Sequence, residues 1–386
     1  MKRVYHYALL ASVLVGLPLV CCYLGGHDEI LEGVKNFPPR TEDFGFHPEK
    51  LWNYRRPFNW YWFLGLTVFT FGCVFPFLRR GIRAYRRTFP RPVSSRGKFP
   101  LWGWGALALL FGSWVVTWSR FEWFRPYQVL LSYFPIWMGY ILTMNALCLW
   151  RKGSSPLTDH PLAYALTFPV SSLFWWFFEY LNRFVWNWYY LGISELSAVT
   201  YTLYATLCFA SVLPAVYATA EFLGTFRFFD DRNYEGMSWC PDVRSPVSRV
   251  VLAMLSLVGL TGIVFFPEYA YPLLWISPLM VFVFVQVLLG EKCVLDCVKL
   301  GNWGLVFRFE VAALVCGFCW ETWNYYALAK WVYAVPWVHG WQIWEMPIIG
   351  FAGYLPFGVE CAAVTFWLYD ACGIACASST ERCRTI

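Results

Sequence analysis

Long apolar stretches separated by short polar segments set the pattern of this 386-residue chain. A helix rising 1.5 Å per residue needs about 20 apolar residues to cross a hydrocarbon core. The stretches that meet this requirement lie roughly at 4–24, 58–78, 100–118, 128–150, 161–183, 199–223, 249–267, 272–291, 304–326 and 343–369. The pattern therefore predicts an all-α polytopic membrane protein with about ten transmembrane helices. The first apolar stretch, which follows Lys2 and Arg3, fits a signal peptide as well, but we expect an uncleaved span because no small-residue cleavage site stands at its end.

Composition agrees with residence in a membrane. Hydrophobic residues make up 59% of the chain and charged residues 14%, whereas a soluble domain carries about 25% charged residues. The net charge of +6 suits contact with anionic lipid headgroups. A nucleic-acid partner is not expected, because no soluble domain with a basic face is present to bind one.

The distribution of charge predicts the orientation of the chain. The segment 79–98 contains eight basic residues and no acidic one, and such loops stay in the cytoplasm. The segment 25–57 mixes six acidic residues with five basic ones and is expected to be translocated. Ten spans then leave both termini in the cytoplasm, consistent with Arg382 and Arg384 in the tail. We expect an integral protein of a bacterial inner membrane.

An internal repeat of about 120 residues follows the first two spans. At an offset of about 142, Glu179 and Asn182 align with Glu321 and Asn324, and the segment 209–214 aligns with 351–356. Each copy has four spans, so the two copies are parallel repeats. The predicted organisation is two N-terminal helices with their loops (1–98), repeat 1 (99–225), a cytoplasmic linker (226–248), repeat 2 (249–370) and a cytoplasmic tail (371–386).

The repeated Glu–Asn pairs are the leading candidate for chemistry. Residues three apart share one face of a helix, and a carboxyl group inside a membrane span is costly enough to indicate a functional site. A Glu in an apolar site can remain protonated and act as a proton donor. Alternatively, the two pairs hold the repeats together by interhelical hydrogen bonds. The sequence leaves both interpretations open.

Repeat 2 concentrates further carboxylates and aromatic residues. Glu345 and Glu360 stand where repeat 1 has Leu203 and Ala218. The candidate catalytic residues are Glu321, Glu360, Glu345 and Glu179, and the candidate substrate-binding residues are Asn182, Asn324, Trp323, Tyr325 and Trp176. Aromatic residues form 22% of the chain. They pack against lipid or line a cavity suited to an isoprenoid or another lipid.

The fourteen cysteines predict neither a metal site nor a known cofactor. Cys293 and Cys297, and Cys372, Cys376 and Cys383, are spaced differently from a zinc-binding Cys-x2-Cys pair. Both clusters would face a reducing cytosol, where disulfides are disfavoured. We therefore expect free thiols there, and the sequence identifies no cofactor.

Repeat 2 resembles a known enzyme family over residues 320–360. The segments Trp320-Glu321, Trp323-Asn324-Tyr325, Trp331-Val332-Tyr333, Glu345-Met346-Pro347 and Leu355-Pro356-Phe357-Gly358-Val359-Glu360 occur in this order. This order resembles the integral-membrane lycopene cyclase domain. The resemblance implies that Glu321 or Glu360 supplies a proton that starts cyclisation, and that aromatic walls stabilise the resulting carbocation.

Three functions are compatible with these features. The first is an enzyme that acts on an isoprenoid or other lipid by acid–base chemistry at intramembrane carboxylates. The second is a transporter or proton-coupled carrier with a central path lined by Glu179 and Glu321. The third is a non-catalytic subunit of a membrane complex. The expected partners are membrane lipid, a lipophilic small molecule and, for the third function, other subunits.

Overall fold

The computed structural model of the chain describes residues 2–26, 56–87, 97–193 and 195–374. Its helices are α1 Lys2–Gly25, α2 Trp60–Arg87, α3 Leu101–Ser119, α4 Phe134–Lys152, α5 Pro156–Asp159, α6 Pro161–Val185, α7 Ala198–Phe209, α8 Val212–Leu223, α9 Pro246–Phe265, α10 Pro267–Ala270, α11 Ser277–Leu289, α12 Gly304–Tyr325 and α13 Tyr354–Ala371. Most of the mixed-charge segment 25–57, the middle of the basic segment 79–98 and most of the tail lie outside the described residues.

Within the described residues, seven segments are long and apolar enough to cross a membrane, and a bent pair of helices raises the number to eight if it counts as one span. They are Trp60–Ala84, Leu101–Ser119, Val129–Lys152, Pro161–Val185, Ala198–Leu223, Pro246–Phe265 and Ile348–Ala371, with the pair Pro267–Trp275 and Ser277–Leu289 bent by 49°. The prediction of an all-α integral membrane protein is confirmed. The count of ten stays a prediction, since α1 has a shorter apolar part, Leu10–Gly25, and α12 carries three charged residues.

Two small antiparallel sheets lie in the connections, where the sequence predicted no strands. Strands β1 Trp188–Leu191 and β2 Lys330–Tyr333 form one sheet, and β3 Gln342–Ile343 and β4 Met346–Pro347 form the other. The second sheet occupies the start of the stretch predicted at 343–369. The helical part of that stretch therefore begins later, at Ile348.

The core lies where α4, α8, α12 and α13 pack together. Small residues allow their backbones to approach closely, as is common between membrane helices. A Cβ atom on Gly139 would lie 2.6 Å from the backbone nitrogen of Leu110 in α3, and one on Gly358 of α13 would lie 2.2 Å from the carbonyl oxygen of Phe309 in α12. Larger residues at these glycines would push the helices apart.

Helix α2 lies at the periphery, and many of its large apolar side chains are exposed. Near its N-terminus, the Asn59 amide donates a hydrogen bond to the Trp337 carbonyl oxygen at 2.7 Å. Near its other end, the Arg80 guanidinium donates to the Gly236 carbonyl oxygen at 2.5 Å. The helix is thus attached at both ends, and a cavity lies between its middle part and the core.

Candidate functional site

The first carboxylate site, formed by Glu179 and Asn182 of α6 together with β1, is almost completely buried. Oε1 of Glu179 accepts hydrogen bonds from the indole of Trp175 at 3.1 Å, from the indole of Trp188 at 3.0 Å and from the hydroxyl of Tyr190. Trp175 precedes Glu179 by one helical turn, whereas Trp188 and Tyr190 belong to β1. A single oxygen therefore orients three aromatic side chains.

Asn182 fixes the backbone that leads from α6 into β1. Its Nδ2 donates to the Trp188 carbonyl oxygen at 2.9 Å, and its Oδ1 accepts from the amide of Asn187 at 2.8 Å. These bonds satisfy backbone groups that would otherwise be buried without partners at a helix end. Asn182 is therefore a structural residue that places β1 beside Glu179.

The second carboxylate site, formed by Glu321 and Asn324 of α12 together with β2, has the same plan. Oε1 of Glu321 accepts from the hydroxyl of Tyr333 at 2.7 Å, from the hydroxyl of Tyr354 at 3.1 Å and from the indole of Trp331 at 3.4 Å. Asn324 donates to the carbonyl oxygen of Trp331 at 2.7 Å and accepts from its amide at 2.8 Å.

One oxygen of the second site has no partner. Oε2 of Glu321 is buried and makes no hydrogen bond to any residue that the structure describes. Tyr354 reaches Oε1 from α13 because Gly317 leaves room for its ring. A Cβ atom on Gly317 would lie 2.3 Å from that ring. The second site thus includes a donor from a neighbouring helix.

The two sites meet through the pairing of β1 with β2. Trp188 is opposite Tyr333, Tyr190 is opposite Trp331, and Tyr189 and Val332 form a pair between them. In each strand, the indole that binds one Glu therefore lies opposite the phenol of the other strand, which binds the other Glu. This reciprocal register is the one that a local two-fold axis through an antiparallel pair produces.

An apolar cavity of about 980 Å³ adjoins both sites. Its wall includes all six side chains that donate hydrogen bonds to the two Glu residues: Trp175, Trp188, Tyr190, Trp331, Tyr333 and Tyr354. The two carboxylates themselves lie behind this wall. They hold its aromatic rings in place and do not face the cavity.

None of the nine residues singled out in the sequence is among the described residues that line the cavity. Glu360 of α13 is buried, and its Oε2 has no partner among the described residues. Glu345 forms an ion pair with Lys330, a residue of the cavity wall. Glu179, Glu321, Asn182 and Asn324 support the wall from behind. The proposed catalytic roles of the four Glu residues stay predictions.

The three aromatic candidates lie apart from one another. Trp323 packs in the core against Trp137, with ring centroids 4.7 Å apart. The indole of Trp176 donates to the hydroxyl of Thr206 at 2.9 Å. Tyr325 is 40% exposed. Their role as substrate-binding residues stays a prediction.

Sequence reasoning missed Glu310 of α12, a carboxylate that lines the cavity directly. Glu310 precedes Glu321 by eleven residues. At 100° per residue this spacing returns to almost the same face of the helix, about 16 Å along its axis. The signal was an acidic residue in an apolar segment on the face of Glu321. It was overlooked because repeat 1 has no matching acid, since Phe168 stands at the corresponding position.

The cysteines differ from the expectation of free thiols in one place. Cys297 takes part in a disulfide, whereas Cys293 and Cys372 are free. Sequence spacing alone could not identify this bond. Within the described residues, no three His, Cys, Asp or Glu side chains are grouped so that they could hold a metal ion.

No protein-family model matches the chain, and no curated protein or solved structure matches it either. The resemblance of residues 320–360 to the lycopene cyclase domain therefore stays a prediction from the sequence.

Proposed function

We propose that this protein binds an apolar, long-chain lipid of the isoprenoid type in the cavity between α2 and the core. The observation that carries the proposal is the aromatic wall held by two buried carboxylates. The cavity volume of about 980 Å³ is near the upper end of the range of about 300–1,000 Å³ for small-molecule sites. The π faces of such a wall suit an unsaturated chain.

The shape of the cavity favours a chain over a compact ligand. Residues of α2 from Leu66 to Phe77 line it, which corresponds to about 16 Å along the helix. One end reaches Met237 and Trp239 in the segment between the two repeats, and the other reaches Trp331 in β2. An extended hydrocarbon chain can follow this length and remain in contact with apolar side chains.

Acid–base catalysis on the bound lipid is a second candidate, favoured by the unpartnered Oε2 of Glu321. The hydroxyl of Tyr333 both lines the cavity and binds Oε1 of Glu321. A proton could therefore pass between the phenol and the carboxylate at the wall. Lipid extracts from cells that express the wild type or Glu321→Gln test this role. A lipid product that disappears with Glu321→Gln supports catalysis, and unchanged extracts contradict it.

The other two functions, a carrier and a non-catalytic scaffold, explain fewer features of the site. A central ion path needs polar groups along its length, but indole and phenol rings stand between the cavity and the two Glu residues. A scaffold accounts for the hydrogen bonds of Glu179 and Glu321 but needs no cavity of this size. Partner subunits are not needed to explain either site.

We also propose that the chain contains ten spans, the last eight as two parallel repeats of four. The equivalent hydrogen bonds of Glu179 and Glu321 and the reciprocal pairing of β1 with β2 support this duplication. With the basic segment 79–98 in the cytoplasm, both termini are cytoplasmic in a bacterial inner membrane. Reporter fusions at residues 90 and 240 test this orientation, because both should report the cytoplasm.

The binding proposal is tested by filling the cavity from α7. Cys208 lines the cavity, whereas Leu203 on the same helix is 60% exposed on the outer surface. Native mass spectrometry of the purified wild type and Leu203→Trp should show a retained lipid, and Cys208→Trp should lose it. Equal retention by both Trp variants would place the lipid elsewhere and overturn the proposal.

A further inference from the structure

Glu310 is the one acidic residue of α12 that faces the cavity. It lies six residues after the start of the helix, about 9 Å along its axis. Val306 one turn earlier lines the same wall, and Cys73 of α2 lies near enough to sense its charge. Its carboxyl has no hydrogen-bond or ion-pair partner among the residues that the structure describes.

Glu310 combines a place on the cavity wall with the lack of a partner. Glu195 also lines the cavity but is exposed, and Glu360 also has a buried oxygen without a partner among the described residues but does not line the cavity. Glu179 and Glu321 each accept three hydrogen bonds, and Glu345 is paired with Lys330. A polar group in an apolar environment is costly unless it is hydrogen-bonded. Glu310 is also too short to reach the membrane surface from two turns inside the helix, as a long Lys or Arg can. A structural role therefore leaves its position unexplained.

We propose that Glu310 is the polar anchor of the cavity and accepts a hydrogen bond from the head group of the lipid. This inference rests on the proposed binding function and specifies its ligand. A carboxyl group accepts a hydrogen bond whether or not it is ionised. A head group that donates, either a hydroxyl or an ammonium group at the end of an otherwise apolar chain, can therefore bind Glu310 in both protonation states, and the proposal assigns a head group of this kind.

The position of Glu310 also sets the direction of the bound chain. Trp320 lies ten residues later on α12 and lines the cavity about 15 Å further along. Beyond it are the rings of Trp331 and Tyr333. A lipid anchored at Glu310 would extend its unsaturated tail along α12 towards this aromatic wall.

Matched probes test the anchor in the purified full-length protein. Geranylgeraniol carries a hydroxyl donor, its methyl ether has the same chain without a donor, and geranylgeranylamine carries an ammonium group. The wild type should bind the alcohol about tenfold more tightly than the ether, as expected for one buried hydrogen bond to a carboxyl group. Glu310→Leu should bind the alcohol and the ether equally.

Glu310→Gln distinguishes the two donor heads, because its amide still accepts a hydrogen bond but carries no charge. A natural ammonium head predicts that the wild type prefers the amine and that Glu310→Gln loses about tenfold in affinity for it. A hydroxyl head predicts that the alcohol binds both proteins within about threefold. Either result supports the anchor and identifies its donor.

Three outcomes would overturn the inference. If the wild type binds the alcohol and ether equally while Cys208→Trp blocks both, a lipid occupies the cavity but Glu310 does not anchor it. If Glu310→Leu keeps the tenfold preference, another group recognises the donor. If the folded wild type binds none of the three probes, the proposed binding function fails together with the anchor. Glu310→Leu should not lower the melting temperature, since no partner is lost, and a large decrease would reveal a structural role.

Discussion

The first and second carboxylate sites share one arrangement and differ in their third donor. In both, Oε1 of a helical Glu binds an indole and a phenol from the strand that follows the helix. At Glu179 the third donor is Trp175 of the same helix, whereas at Glu321 it is Tyr354 of α13. The shared part holds each strand in place. The third donor makes the second site a junction between two helices.

The surroundings of the two Glu residues also differ in charge. Arg183 follows Glu179 by one turn, is buried and attracts its carboxylate. At the matching position in repeat 2 stands Tyr325, and Oε2 of Glu321 is left without a partner. The first site thus has a nearby cation that attracts its Glu, whereas the second has a buried carboxyl oxygen without a partner among the described residues.

Replacing either Glu by Leu should have the largest effect. Glu179→Leu and Glu321→Leu each remove one acceptor from three aromatic donors, and a buried donor without a partner costs about 1–3 kcal/mol. Because some donors can bind one another, as the indole of Trp331 binds the hydroxyl of Tyr333 at 2.9 Å, we expect a loss of about 2–4 kcal/mol in each variant.

Denaturant titration in mixed micelles measures this loss. Leu203→Met, on the exposed face of α7, serves as the control and should leave the free energy of unfolding unchanged. A large loss at only one Glu would break the comparison, because the two strands would then not depend equally on their carboxylates.

Gly317→Ala should affect the second site alone. The added methyl group would lie 2.3 Å from the ring of Tyr354, so the ring must move away from Glu321 or the helices must separate. Overpacking of this kind costs about 1–3 kcal/mol. Gly112→Ala in α3 is the matched control, since no atom lies within 4 Å of its added Cβ.

The ring of Trp320 stacks on Tyr354 with centroids 6.0 Å apart. Crosslinking or quenching of Trp320 therefore measures the displacement of the Tyr354 ring, and the melting temperature measures the loss of stability. If Gly317→Ala changes neither the Trp320 signal nor the stability, Tyr354 is not held against α12 and the junction does not exist.

The sequence predicted the membrane helices and both Glu–Asn pairs, because these depend on local patterns. Apolar stretches of sufficient length can be recognised directly, and a carboxylate within such a stretch is conspicuous. Both Glu residues are buried in the structure, and their functional role stays a prediction. The sequence did not predict how these Glu residues are placed relative to the cavity. The hydrogen bonds that keep both carboxylates behind the aromatic wall involve β1 and β2, and no alternating pattern of hydrophobic and polar residues predicted these strands.

Long-range contacts explain what the sequence could not show. The approach of Tyr354 to Glu321 depends on the absence of a side chain at Gly317, 37 residues earlier in the chain. Pairing of β1 with β2 joins segments more than 130 residues apart. The position of Glu310 on a cavity wall depends on α2 and α12, which enclose the cavity together although they are far apart in the chain. None of these relations has a periodicity that could be read in advance.

The smallest effect, and the sharpest test of the electrostatic difference, comes from Gln substitutions. Glu179→Gln retains an acceptor for Trp188 and Tyr190 but removes a carboxylate that attracts the buried guanidinium of Arg183. Glu321→Gln retains an acceptor for Tyr333 and Tyr354 and removes a charge that Glu345 repels. We expect Glu179→Gln to lose about 1 kcal/mol and Glu321→Gln to stay within about 0.5 kcal/mol of the wild type.

The double variant Glu179→Gln with Arg183→Gln separates charge from packing. If the loss in Glu179→Gln arises from the lost attraction between Glu179 and Arg183, then adding Arg183→Gln should restore about half of it or more. Equal losses in Glu179→Gln and Glu321→Gln, with no rescue by Arg183→Gln, would mean that both carboxylates serve only as hydrogen-bond acceptors. The unpartnered Oε2 would then no longer distinguish the second site, and the case for chemistry at Glu321 would rest on lipid products alone.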